Sequence, residues 1–551
     1  MNLMRHGAIR LLALVVVAFG LAACDGDDGR DGLPGSAGVD GSPGTDGISC
    51  WDLNENGIKD LPDEDTNGDG VVDVLDCRTP TGDFTPAALH KGWFEENDYT
   101  GGESCMSCHG DIGDMVLMSG HWNWQGTATN IEGFEAEELG KNQIINNFCV
   151  AVPTNEGRCA QCHIGVGYSS NSFDFGDRNN IDCLSCHDQT GTYAKAKTPD
   201  GRPAEGVDVK AVAQSVAENG GLPTRKACLF CHQNAGGGDN VKHGDLASTL
   251  ADTTREYDVH MGTDGGDLSC VACHNIKRDE AGNALDHGIG GMPYHSVDEG
   301  SLKTCTDCHG DGANIHAGSS VEPIFGVTAH TNLACQACHI PAIARDISTK
   351  VEWYWSDAGE DVDPIPVDPV TGRPTYDKMK GTFVWANDVR PTLLYFDGKW
   401  DKALIGLNDT FPDATGPENP AVLAAPTADY TTPGAKIYPF KKMIGNQPAD
   451  VANNKILVPH LWGTITGDNP FWGAYDWNLA LQDGANYTGE PYSGEYFFID
   501  TLMYLSVNHE IAPKEQALGM DATCTDCHGA GGIDFTLLGY DADPLSGGTR
   551  P

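Results

Sequence analysis

This chain is short of basic residues, of long apolar runs and of hydrophobic mass. Its 551 residues hold 34 Lys and Arg against 79 Asp and Glu, a formal net charge of −45. A field of that sign repels nucleic acid and excludes it as a partner, while it steers cationic partners, minerals or positively charged protein patches toward the surface. The one apolar run, Leu11 to Leu21, is too short for an ordinary transmembrane span, and no other segment is a candidate. Hydrophobic residues make up only 40% of the chain, and Gly, Pro, Asn and Asp are plentiful, so a protein-only apolar core is not expected to carry a chain of this length.

What the chain has instead is Cys-x-x-Cys-His, eight times. The copies are Cys105, Cys108 and His109; Cys159, Cys162 and His163; Cys183, Cys186 and His187; Cys228, Cys231 and His232; Cys270, Cys273 and His274; Cys305, Cys308 and His309; Cys335, Cys338 and His339; and Cys524, Cys527 and His528. This spacing is the c-type haem attachment signature. Two thiols three residues apart add to the two vinyl groups of one porphyrin, and the adjacent imidazole becomes the proximal iron ligand. A zinc site or redox dithiol needs no His after every second Cys, and eight repeats of the full pattern remove that reading. Eight haem c groups are the cofactors expected. Porphyrins supply apolar surface and covalent staples, so the expected fold is mainly α with extensive loops and little β, a multihaem cytochrome c organised around its haems.

The first 24 residues read as an export signal. Arg5 and Arg10 form a basic start, the short apolar stretch follows, and Leu21-Ala22-Ala23-Cys24 resembles a bacterial lipobox that leaves Cys24 as a lipidated N-terminus. Export agrees with haem attachment, which happens outside the cytoplasm. The expected location is the bacterial cell envelope, on the periplasmic face or the cell-surface face of the outer membrane. Residues 25–48 hold a strict Gly-x-y run from Gly26 to Gly47, a collagen-like pattern that serves as a flexible tether or a homotrimeric stalk. Residues 49–78 form a separate module. Asp52, Asn54, Asn56, Asp60 and Asp63 are repeated thirteen residues later by Asp65, Asn67, Asp69, Asp73 and Asp76, each set with a Gly at the sixth position. Oxygen ligands in that pattern are a calcium loop of thrombospondin type 3 or dockerin kind, so Ca2+ is a second expected cofactor. Cys50 and Cys77 bracket the module and are candidates for a disulfide. The octahaem domain runs from 84 to 551.

Eight proximal histidines and His6 leave ten others: His90, His121, His243, His260, His287, His295, His316, His330, His460 and His509. That supply permits eight bis-His haems without requiring them, and no Met ligand is implied. Between His339 and Cys524 there is no motif, and the interval holds seven of the eleven Trp, read as cover for haem edges. Cys149 is the one cysteine without a haem, lipid or disulfide role.

Several stretches outside the haem motifs carry a resemblance. They are His121-Trp122-Asn123-Trp124, Ile145 to Cys149, Gly236 to Leu246 (GGGDNVKHGDL), Asp258 to Met261, Cys335 to Pro341, Pro491 to Phe497 and Asn508 to Ala517. In these, from about His90 onward, the chain resembles the octahaem tetrathionate reductase family of c-type cytochromes. The resemblance does not reach the Gly-x-y run or the calcium loops. It implies one catalytic haem, the second, with His163 as proximal ligand and a lysine on its iron. That lysine falls at Lys242, with Asp239 and Cys149 nearby; Lys141 is the other candidate. Distal ligands to the remaining irons would come from His90, His121, His243, His260, His287, His330, His460 and His509, with His295 and His316 the first to be spare and one of His90 and His460 after them. A dianionic substrate such as tetrathionate needs a locally basic site, for which Arg158, Arg225, Lys226 and Lys242 are the sequence's candidates. Two functions follow: a reductase of a small sulfur or nitrogen oxo-compound (tetrathionate, nitrite or hydroxylamine), or a non-enzymatic electron conduit at the cell surface. In both, redox proteins donate and accept electrons; a small inorganic substrate belongs to the first alone.

Overall fold

The computed structural model describes residues 59–61, 63–65, 72, 85–196, 200–279, 284–290, 301–310, 315–463, 469–520 and 524–550. The chain divides into two compact units, Met1–Phe84 and Thr85–Pro551. In the first, Glu64 is buried and accepts a hydrogen bond from the Asp60 amide at 3.0 Å. Of the expected calcium ligands, Asp60, Asp63 and Asp65 fall among the described residues; Asp52, Asn54, Asn56, Asn67, Asp69, Asp73 and Asp76 lie outside them, as do Cys24, the Gly-x-y run, Cys50 and Cys77. Among the described residues no cluster of three acidic, Cys or His side chains is set to hold a metal.

The second unit begins with short helices and loops. α1 (Pro86–Glu96) starts at Thr85, whose hydroxyl accepts from the Ala88 amide, with Pro86 at the first turn where its missing N–H costs nothing. α2 (Glu103–Leu117) carries the first motif and is kinked at His109 (φ −112°, ψ 33°). α3 (Val209–Ser215), capped by Asp208, packs on α1 through Phe94, Val212, Ala213, Leu184 and Tyr193. α4 (Arg225–His232), capped by Thr224, holds the fourth motif. The third, sixth and seventh motifs lie on single helical turns, Leu184–His187, Cys305–His309 and Cys335–His339. One turn puts both thiols and the imidazole on one side of the backbone, as attachment to a single porphyrin requires.

The expectation of little β is overturned by an eight-stranded sheet, built in the interval that has no haem motif. Its strands are β1 (Thr349–Tyr354), β2 (Tyr376–Asp377), β3 (Gly381–Ala386), β4 (Thr392–Phe396), β5 (Trp400–Lys402), β6 (Ala421–Pro426), β7 (Lys436–Asp450) and β8 (Tyr496–Ser506). Their order is β2-β3-β1-β7-β8-β6-β5, with β4 pairing the start of β7. The spine is the antiparallel β7–β8 ladder, from Phe440 opposite Ser506 to Asp450 opposite Tyr496. β8 (YFFIDTLMYLS) has the β-branched and aromatic content that favours strands, and β7 is buried along nearly its whole length. The Trp residues are core of this sheet more than cover for haems. Trp353 stacks on Trp355 at 5.4 Å, Trp477 on Phe471 at 4.0 Å, and Trp400 packs edge-on to Phe396 and Phe440. No helix among the described residues is long and apolar enough to cross a membrane.

Candidate functional site

Seven of the eight motif histidines face a second imidazole drawn from elsewhere in the chain. His109 is 5.8 Å from His90 between ring centres, His187 6.2 Å from His287, His232 6.3 Å from His121 and His274 6.1 Å from His509. His309 is 5.9 Å from His260, His339 6.2 Å from His316 and His528 6.3 Å from His330. Direct ring stacking would bring centres closer. A metal bonded to both nitrogens, about 2 Å from each and about 1 Å further to each ring centre, sets them about 6 Å apart.

The other ring nitrogen is engaged in six of these histidines. Nδ1 of His90, His187, His274 and His330 donates to the carbonyls of Pro86, Gly221, Gly290 and Ile324 at 2.6–2.9 Å. Nδ1 of His509 meets Asp245 at 3.3 Å and Nδ1 of His528 meets Asp543 at 2.7 Å. Such bonds fix the tautomer and leave Nε2 as the lone pair for a metal. Burial lowers the basicity of His109, His187, His274 and His339, and pushes His232 down to about 3, so these imidazoles are neutral, the form that binds iron. At these seven motifs the residues present fit haem c.

His316, expected to be spare, takes the place opposite His339. Two distal candidates have other surroundings. His460 is buried with Nδ1 3.3 Å from Asp483, and His243 lies among Lys242, Asp245 and Lys441. His295 lies outside the described residues.

Several motif cysteines lie beside cysteines of another motif. Side-by-side cysteines relate the first motif to the third (Cys105 and Cys183), the second to the fourth (Cys162 and Cys231), the fourth to the fifth (Cys228 and Cys270) and the sixth to the seventh (Cys305 and Cys335). Cys186 adjoins Cys228, Cys273 adjoins Cys308, and Cys338 adjoins Cys527. The motifs therefore neighbour one another in the order first, third, fourth, fifth, sixth, seventh, eighth, with the second branching from the fourth.

The second motif differs from the rest. His163 is fully buried in a cage of Trp122, Trp124, Tyr168, Phe173 and Phe175, and its Nε2 donates to the Trp122 carbonyl at 2.6 Å. Among the described residues no histidine stands opposite it. Buried Lys195 donates to the carbonyls of His163 and Gly165, and is 3.5 Å from Asp182 beside the third motif. Lys141 sits over Trp124 at 4.6 Å and within electrostatic reach of Cys159, Cys162 and His163. Lys242 is close to Lys141. Part of its surface is open, but the chain packed round it desolvates the amine and, with Lys141, pushes it down to about 7.

Lys242 is positioned by residues that sequence reasoning missed. Lys441, in the middle of β7, is wholly buried and donates to the carbonyls of Val241 and Lys242 at 2.7 and 3.0 Å and to the Thr349 hydroxyl at 2.6 Å. Thr349 donates in turn to the Asn240 carbonyl at 2.6 Å. Asp239 holds Ser248 through both carboxylate oxygens, at 2.9 and 2.5 Å. Cys149 lies near Cys159 and near Lys350, Lys380 and Arg158. Of the expected basic patch, Arg225 instead pairs with Asp267 and lies against the Leu268 carbonyl. Lys226 packs beside Gly191.

Covalent haem signatures, paired neutral imidazoles about one metal apart and a continuous succession of neighbouring motifs define a multihaem c-type cytochrome for electron transfer. Residues 350–531 match the bacterial cytochrome c family. A protein of Archaeoglobus fulgidus without an assigned function is 25% identical over 247 residues, covering 36% of this chain and 81% of its own length. The crystal structure of octaheme cytochrome c from Shewanella oneidensis superimposes with a TM-score of 0.69 at 34% identity, over 83% of this chain and 98% of that one. The chain belongs to the octahaem cytochromes c.

Proposed function

We propose that this protein carries eight covalent haem c groups and reduces a small sulfur or nitrogen oxo-compound, such as tetrathionate, nitrite or hydroxylamine, at the second of them, with Lys242 as its displaceable distal ligand. The observation that carries the reading is His163: seven motif histidines face an imidazole, and this one, among the described residues, does not. Haem, when attached, supplies one-electron chemistry and an iron that can take a substrate. The chain does the rest. At seven sites the paired imidazoles would hold the iron between them and leave no ligand to displace. Burial holds the Lys242 amine near neutrality, so it can serve as a neutral ligand and leave on protonation. Lys441 and Thr349 hold the backbone of the Lys242 loop, and Asp239 ties that loop to Ser248. The resemblance to the tetrathionate reductase family supports the same residue.

A second reading is a surface electron conduit without catalysis. It is favoured by the exposure of Cys108, Cys308 and Cys524 at the first, sixth and eighth motifs. One substitution separates the two. Lys242→Met should leave seven low-spin haem signals in the ferric electron paramagnetic resonance spectrum, alter the eighth, and abolish turnover of all three substrates. An unchanged spectrum with unchanged turnover would give the conduit reading the advantage. Intact-mass measurement of the purified protein should show eight haem additions; seven or fewer would refute the count.

A further inference from the structure

Two of the imidazole pairs are alike in geometry and differ by one charge. At the third motif, Nδ1 of His187 donates to the Gly221 carbonyl at 2.8 Å, and Nδ1 of its partner His287 is buried with no hydrogen-bond acceptor among the described residues. At the fifth, Nδ1 of His274 donates to the Gly290 carbonyl at 2.6 Å, and Nδ1 of its partner His509 meets the carboxylate of Asp245 at 3.3 Å. Ring centres are 6.2 and 6.1 Å apart in the two pairs, and both are tilted by 29°.

The backbone sets Asp245 in place. Gly244, just before it, has φ 82°, and a Cβ there would stand 2.8 Å from the Ile343 side chain. The Gly244 carbonyl accepts from the Ala344 amide at 2.8 Å and from the Asn240 side chain at 3.2 Å. Asp245 itself is 1% exposed. Its Oδ2 accepts from the amides of Asn508 and His509 at 2.7 and 3.0 Å as well as from the His509 ring. Three N–H donors on one oxygen favour the charged carboxylate. Its Oδ1 is buried and accepts no hydrogen bond. No Lys or Arg forms an ion pair with it among the described residues. Lys441 is within electrostatic reach, but its hydrogen bonds go to Val241, Lys242 and Thr349. A buried carboxylate without a cation is costly unless a positive centre completes the site. Ferric iron beyond His509 would be that centre, and ferrous iron, one charge poorer, would answer it less well.

We propose that Asp245 is a positioning residue that holds the fifth haem at low potential, so that this haem separates two arms of the electron-transfer chain. It acts in two ways. Its hydrogen bond makes His509 a stronger electron donor to the metal, and its charge, undiluted by water, opposes the arriving electron. The fifth motif lies between the fourth, where Cys228 is beside Cys270, and the sixth, where the Lys303 amide donates to the Cys273 carbonyl at 2.9 Å. An electron on the first, third or fourth motif therefore faces an uphill step before it can reach the sixth to eighth, and an electron on the fourth is left for the second. The inference is independent of whether any motif meets a substrate.

The test is a redox titration of the full-length holo-protein, followed by the ferric low-spin electron paramagnetic resonance signals. The signal lost in His509→Met assigns the fifth haem, and the signal lost in His287→Met assigns the third. Asp245→Asn keeps an oxygen to accept from the two amides. It should raise the midpoint of the fifth haem by at least about 59 mV, a tenfold change in its oxidised-to-reduced ratio at fixed potential, with the other midpoints in place. A loosened site would instead admit water, which favours the charged ferric form and lowers the potential, so a structural effect has the opposite sign. If Asp245→Asn does not fold with its haems attached, the wild type decides the matter: its fifth haem should be reduced after its third. A fifth-haem midpoint that is unchanged or lowered in Asp245→Asn, or a fifth haem reduced before the third in the wild type, would overturn the assignment.

Discussion

Lys441 is an interior amine with two hydrogen bonds to the segment that presents another lysine and a third to Thr349, which braces that segment. It reaches the carbonyls of Val241 and Lys242 and the hydroxyl of Thr349. Lys441→Met should therefore remove the lysine donor from the Val241 and Lys242 carbonyls, at a cost of about 1–3 kcal/mol in unfolding free energy. It should also shift the electron paramagnetic resonance signal of the haem that Lys242 is proposed to ligate while the seven imidazole-pair signals stay in place. A shift spread evenly over all signals would contradict the positioning role. Glu156, beside Cys159, gives a pH test. It is 3% exposed, accepts from the Tyr487 hydroxyl at 2.8 Å, and burial raises it from 4.5 to about 6. The folded state then holds the proton more tightly than the unfolded one, so stability falls as pH rises from about 4.5 to about 6, by about 1–2 kcal/mol from this group. Glu156→Gln should keep the Tyr487 contact and flatten that part of the curve in thermal unfolding followed at the Soret band. At this scale the attachment residues were legible, because covalent chemistry fixes their spacing. The pairing residues were not: His274 meets His509 and His339 meets His316, and no local pattern tells which of ten histidines folds back onto which motif.

Among the elements, the β7–β8 ladder links the Lys242 loop to the fifth motif, whose His274 faces His509. β7 supplies Lys441, and two residues beyond β8 lies Asn508, followed by His509. Trp355, just after β1, supports the Cys149 loop and is fully buried. Trp355→Ala should cost about 3–5 kcal/mol in denaturant unfolding, the usual range for a large aromatic removed from a core, and should raise the rate at which thiol reagents label the part-exposed Cys149. An unchanged labelling rate would mean the indole does not hold the loop. The sheet went unread from sequence because motif density was taken to govern the whole chain. Low hydrophobic content and seven covalent sites within 105–339 describe the haem-rich half. They say nothing of 349–506, where runs such as TLLYF and YFFIDTLMYLS carry ordinary strand composition. A central strand buried on both faces also lacks the polar–apolar alternation that marks a half-exposed one.

Across the whole molecule, charge is sorted by depth. The net charge of −45 sits mostly at the surface, while Lys195, Lys350, Lys402 and Lys441 are each buried to 5% exposure or less. A small anion therefore meets repulsion outside, and an electron carrier of positive charge is drawn to the surface from afar. These two effects have opposite salt dependence. Reduction of the ferric protein by a cationic mediator, followed by stopped flow, should slow as ionic strength rises from 0.01 to 0.5 M, because the Debye length falls from about 30 Å to a few Å over that range. An anionic mediator of similar potential should speed up over the same range, and so should association of tetrathionate at limiting concentration. The neighbouring order of the motifs adds a spatial prediction to the kinetic one. The second motif adjoins the fourth where Cys162 lies beside Cys231, so along the proposed haem chain electrons delivered at the first or eighth motif would pass the fourth before reaching it. Replacing His121, which faces His232 of the fourth motif, with Met should raise that haem's potential and slow reduction of the second, leaving the first and eighth as fast as before. Equal rates at the second haem in His121→Met and wild type would mean that electrons reach it by another route.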